Sequence, residues 1–245
     1  MADGAPVATR VELWQWPLAG SARALQRWRS ALSPDESARA ARFVRPADAD
    51  AFVVGRGMLR QILGQVTGLP PQDLVFDYGA QGRPSLRGAA MPLFNLSHSG
   101  GRAVLAVADD GQPGVDIEWM RPVEPAVAWH HFSQAENWAL AAMTGAAWQD
   151  GFFRCWTRKE AVLKAHGDGL ALPLSGFDVS LDALDACVLR MEFDDARAWR
   201  LAPFEPAPGY VGAVALRGGG PGLRLVERQV ERADLRDGPG GSVIG

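Results

Sequence analysis

One feature constrains this chain more than any other: a helix start written twice, 100 positions apart. Ser33-Pro34-Asp35-Glu36 puts serine at the N-cap, proline at the first helical position and glutamate three residues after the cap. Ser133 to Glu136 (SQAE) repeats the pattern, and Phe152 to Leu163 follows Phe52 to Leu63 at the same spacing. Each half also opens on an alternating strand, Val11 to Trp16 (VELWQW) and Val115 to Trp119 (VDIEW). Apolar residues at helical spacing fill Ala51 to Leu63, and Leu74 to Tyr78, Phe94 to Leu96 and Arg102 to Ala108 read as short strands between Gly- and Pro-rich turns. An element order written twice reads as a duplication. The expected class is α+β: two similar lobes in a pseudo-twofold arrangement, each a small, mainly antiparallel sheet packed against helices, with a ligand cleft between the lobes. A boundary at Asp109-Asp110-Gly111 gives lobes 1–111 and 112–235. The Gly218 to Gly222 run and the tail 236–245 lack periodicity and are expected to be mobile.

Composition narrows the function. Of 245 residues, 47% are hydrophobic and 22% charged, enough for a substantial core. A net charge of -3 offers no general basic field, so no nucleic-acid partner is expected, although arginines gather locally between Arg23 and Arg60. No apolar run is long enough for a membrane helix, and Met1 to Arg10 does not read as a signal peptide, so a cytoplasmic protein without membrane association is expected. Cys155 and Cys187 lie far apart without a CxxC pattern and read as packing residues.

Three segments carry chemistry. Asp116 and Glu118 are two apart on a strand, so both carboxylates point to one side and invite a hard divalent cation. In Trp156 to Lys164 (WTRKEAVLK), Glu160 and Lys164 lie one helical turn apart and project together. Phe94 to Arg102 (FNLSHSGGR) reads as a polar Ser97-His98-Ser99 turn ending in two glycines, either a phosphate cradle or a plain hairpin turn. Adjacent His130 and His131 read as structural.

Together, NLSHSGG (Asn95 to Gly101), GVDIE (Gly114 to Glu118) and WTRKEAVLK resemble the signature of the 4'-phosphopantetheinyl transferases, in the long, pseudo-duplicated surfactin (Sfp) form. Arg42-Phe43, the GRGMLR run from Gly55, Gly82-Arg83-Pro84 and Gly169 to Pro173 agree with it. The resemblance implies transfer of the phosphopantetheine arm of coenzyme A to a serine of an apo acyl or peptidyl carrier protein, by a monomer that releases 3',5'-adenosine bisphosphate. It implies Asp116, Glu118 and Glu160 as magnesium ligands, and Glu160 and Lys164 as catalytic groups. It matches Lys164 to a residue near the pyrophosphate and Arg83 and His98 to the nucleotide's 3'-phosphate end, which places the nucleotide contacts in the first lobe and the metal site in the second; Ser97 of the candidate cradle and Arg45 are further expected coenzyme A contacts. Two departures stand out: Asp50-Ala51 where many relatives carry basic residues, and Arg83 where lysine is common. Another magnesium-dependent phosphoryl or nucleotidyl transferase and a catalytically silent carrier or coenzyme A binding module remain as alternatives, and the absence of a P-loop lysine motif weakens an ATPase reading.

Overall fold

The computed structural model describes residues 7–79, 81–88, 90–167 and 172–230. Its first half runs β1 (Thr9–Pro17), α1 (Ala22–Ala31), α2 (Pro34–Ala40), α3 (Pro46–Thr67), β2 (Phe76–Tyr78), β3 (Pro84–Leu86), β4 (Leu93–Ser99) and β5 (Arg102–Ala108). The second repeats this plan as β6 (Gln112–Trp119), α4 (Pro125–His131), α5 (Gln134–Ala141), α6 (Gly145–His166), β7 (Phe177–Val179), β8 (Val188–Met191), β9 (Trp199–Phe204) and β10 (Tyr210–Arg217). Each half pairs its strands in the same antiparallel order, β1-β5-β4 and β6-β10-β9, and folds a long helix and a small hairpin against them. The α+β reading with two similar halves is thus what the chain adopts.

Both expected helix starts form complete capping boxes: Ser33 and Ser133 each accept from the N–H three residues on, while Glu36 and Glu136 bond back to the cap. These glutamates are themselves buried and hold each half's long helix. Glu36 pairs with Arg60 at 2.7 Å, and Arg60 also donates to the carbonyls of Pro71 and Leu74. In the second half Glu136 pairs with Lys159 at 2.8 Å, and Lys159 donates to the carbonyls of Leu174 and Phe177. Cations this deep in protein are tolerated because a carboxylate and two carbonyls replace their water.

The two sheets pack face to face. Val11, Leu13, Val104 and Ala106 of the first meet Val115, Ile117, Val214 and Leu216 of the second in one apolar layer. A final strand, β11 (Leu223–Gln229), returns from the second half and pairs in parallel with β1. Sequence periodicity showed neither β11 nor α1. The glycine run before β11 was expected to be mobile and is instead pinned: the Gly220 N–H donates to Thr9 Oγ1 at 2.7 Å, and the Thr9 N–H donates to the Gly222 carbonyl at 2.8 Å. The tail 236–245 lies outside the described residues, as does part of Gly169 to Pro173. Among the described residues no helix is long and apolar enough to cross a membrane.

Candidate active site at the seam between the halves

Gly114 explains how the second half builds its site. A Cβ there would lie 2.1 Å from the Ala161 carbonyl oxygen and 2.5 Å from the Ala165 nitrogen, so β6 rests directly on the main chain of α6. That contact puts Asp116 beside Lys164, whose ammonium lies 2.6 Å from Asp116 Oδ1, 3.0 Å from Ser97 Oγ and 3.2 Å from the Val115 carbonyl. Ser97 in turn donates to Asp116 Oδ1 at 2.9 Å.

The other half closes the site. Edge strand β4 runs beside β6 in the same direction, and side chains join them where a main-chain ladder is absent. Asn95 accepts from the Val115 N–H at 2.9 Å, Ser97 bonds Asp116, and Ser99 donates to Glu118 at 2.7 Å. Ser97, His98 and Ser99 are therefore strand residues; the turn itself is Gly100-Gly101. Alternation sends Asn95, Ser97 and Ser99 toward the seam. Leu96 and His98 line a separate cleft of about 600 Å³ with Arg39, Phe52, Arg56 and Tyr78.

Electrostatics favour a cation at the seam. Burial pushes the Asp116 carboxyl up, against the opposing pull of Lys164 and Ser97. Its second oxygen, Oδ2, is buried without a hydrogen-bond partner. Glu160 is also raised, by burial first and then by the negative charges of Asp116 and Glu118. Among the described residues no three His, Cys, Asp or Glu side chains are drawn into a metal cage. An orphaned carboxylate oxygen beside two further carboxylates still fits a hard divalent ion that takes its remaining positions from water and substrate oxygens.

The sequence-predicted residues thus separate into three places. Asp116, Glu118, Glu160, Lys164 and Ser97 come together at the seam, and His98 faces the cleft of the first half. Arg83 sits at the seam too, but its guanidinium donates to the carbonyls of Lys164 (2.9 Å), Pro113 (3.1 Å) and Phe94 (3.4 Å). Arg45, at the N-cap of α3, is exposed and does not line the His98 cleft, and Arg56 is engaged by Glu36 and Tyr78. Sequence reasoning placed Arg39 only within the local arginine cluster; its guanidinium stacks over Phe52 at 5.2 Å in that cleft. It did not assign Asn95, and it read Ser99 as part of a turn, whereas on a strand Asn95, Ser97 and Ser99 share one face.

The family model described as the 4'-phosphopantetheinyl transferase superfamily matches residues 112–215, and one described as 4'-phosphopantetheinyl transferase, N-terminal, matches residues 15–110. The 4'-phosphopantetheinyl transferase HetI of Nostoc sp. is 38% identical over 219 residues, covering 87% of this chain and 90% of the relative. Transferase Sfp of Bacillus subtilis is 30% identical over 189 residues (77% and 84%), and psf-1 of Bacillus pumilus 32% over 186 residues (76% and 79%). The chain belongs to the 4'-phosphopantetheinyl transferase superfamily and is a transferase of the Sfp type.

Proposed function

We propose that the enzyme takes coenzyme A across the seam and passes its phosphopantetheine arm to a serine of an apo acyl or peptidyl carrier protein, releasing 3',5'-adenosine bisphosphate. The observation that carries this reading is the divided Asp116 carboxylate, with one oxygen held by Lys164 and Ser97 and the other buried and free beside Glu160. Asp116, Glu118 and Glu160 would hold magnesium, which when bound supplies a Lewis acid that neutralises the pyrophosphate. Lys164 keeps Asp116 oriented and brings positive charge to the same place. Glu160 is the group assigned to accept the serine proton as the serine oxygen bonds to phosphorus and the nucleotide phosphate leaves.

The nucleotide end belongs in the His98 cleft, where Arg39 and His98 can meet a phosphate and Phe52 and Tyr78 offer ring faces. In linear terms the work divides at residue 111, with nucleotide contacts before it and metal ligands after it. Intact-mass analysis of an apo carrier tests the whole reading: mass should be gained only with coenzyme A and magnesium together, and gain without magnesium would overturn it. Dephospho-coenzyme A tests the cleft. Wild type should discriminate against that analogue, and His98→Ala and Arg39→Ala should lose the discrimination. Arg83→Ala reports on its own place: lost discrimination puts it on the phosphate, retained discrimination leaves it on the seam carbonyls.

A further inference from the structure

The tip of the β4–β5 hairpin is docked on the second half by groups outside the proposed reacting set. Gly100, at φ +53°, lies so close to β6 and β10 that a Cβ would sit 2.5 Å from Trp119 Cβ and 2.7 Å from the Tyr210 hydroxyl. Tyr210 donates its hydroxyl to the Gly100 carbonyl, and the Arg102 guanidinium lies 5.9 Å from the Tyr210 ring centre. Tyr210 is paired with Trp119 in the β6–β10 ladder, so the tip is fixed to the strand that carries Glu118.

Ser99, beside that tip, donates to Glu118 Oε2 at 2.7 Å and accepts from the Trp119 N–H at 3.2 Å. Its single O–H is thereby committed to the carboxylate. Glu118 needs such a partner: its side chain is 22% exposed, and its ion pair with Arg121 is long, at 3.8 Å, to a side chain 57% exposed. A surface pair of that kind fixes little. A carboxylate that must stay in one rotamer to hold a cation gains most from a short bond to a rigid donor.

We propose that Ser99 and Tyr210 are positioning residues for metal binding: Ser99 sets the Glu118 carboxylate, and Tyr210 sets Ser99 by clamping the hairpin tip. This rests on Glu118 being a metal ligand, and the experiment separates the two ideas. Mn²⁺ is titrated into full-length protein with coenzyme A present, and the free ion is read by electron paramagnetic resonance for wild type, Ser99→Ala, Ser99→Thr, Tyr210→Phe and Glu118→Ala. Ser99→Ala should weaken Mn²⁺ by about 10-fold, the low end for losing a group that orients a ligand. Tyr210→Phe should weaken it in the same direction by less, and Ser99→Thr, which keeps the hydroxyl, should hold wild-type affinity. Turnover by Ser99→Ala should recover at high magnesium with an unchanged KM for coenzyme A. Wild-type Mn²⁺ affinity in Ser99→Ala, alongside a loss in Glu118→Ala, would overturn the positioning role and leave the metal site standing. Wild-type affinity in Glu118→Ala would remove the metal-site reading and this proposal with it.

Discussion

The two halves share a scaffold and differ in what they turn toward their long helix. Both long helices span 22 residues and end on a left-handed glycine, Gly68 and Gly167, 99 positions apart. Arg60 and Lys159 hold the same place 99 apart, each tied to a capping-box glutamate and two carbonyls. By that spacing Glu160 and Lys164 correspond to Gln61 and Gln65. On the strands, Val11 and Leu13 share the intersheet layer with Val115 and Ile117, so Glu12 and Trp14 lie on the opposite face of β1, as Asp116 and Glu118 do on β6. The first half has one carboxylate on that strand face, Glu12, and Arg10 and Arg228 neutralise it. The proposed site therefore sets the second half apart by a few polar side chains on one strand and one helix face of a shared scaffold.

The sharpest way to break this comparison is to truncate a carboxylate on this strand face in each half. Asp116→Ala should lower carrier modification by about 10²-fold or more, the scale for removing a preorganised charge at the reacting centre. Glu12→Ala should leave the rate unchanged, and a matching loss there would show that the first half takes part in the chemistry.

Next come the buried cations, where the halves should behave alike. Arg60→Ala and Lys159→Ala should each cost about 3–5 kcal/mol, because a buried glutamate and two carbonyls lose their partner. Denaturant midpoints measure this, and a large loss in one variant only would mean that the pairs are not equivalent.

Close-contact glycines distinguish the halves again. Gly114→Ala should cost about 1–3 kcal/mol and also slow transfer, since the added methyl meets α6 main chain and moves Asp116. Gly57→Ala meets the Trp28 side chain instead, at 2.4 Å, and should cost stability without slowing transfer.

The smallest effect is on pH dependence. Burial raises Glu36, but the hydrogen bond from Arg60 and the charge of Arg56 outweigh it and hold the carboxyl below the ordinary value of 4.5. A lowered carboxyl contributes stability above that ordinary value and loses it as pH falls through the folded value. Thermal midpoints of wild type should therefore fall on acidification below 4.5, and Glu36→Gln should flatten that limb. An unchanged acid limb would show that the Glu36 pair contributes no pH-dependent stability.

Much of the fold was legible in the sequence because its signals are local. A capping box needs only four residues, strand alternation only five, and both were written twice. The Asp116 and Glu118 pair was legible for the same reason: period two puts both on one face. The strand β11 was not, because its partner β1 lies more than 200 positions away and β11 shows no periodicity that reveals the pairing.

Sequence by itself determined the duplicated α+β plan and the residue types of the proposed site. Tertiary structure decided which of those residues meet. Ser97 and Lys164, 67 positions apart, converge on one oxygen of Asp116 because Gly114 lets β6 rest on α6 and β4 runs along the seam. His98, next in sequence to Ser97, is turned into another cleft by strand alternation, and Arg83 is drawn onto three carbonyls that only the packed halves bring together. Such placements depend on long-range packing and on finding partners for most buried polar groups. A linear pattern carries the donors and acceptors but not the pairings, since these are fixed only when the two sheets and their helices close on one another.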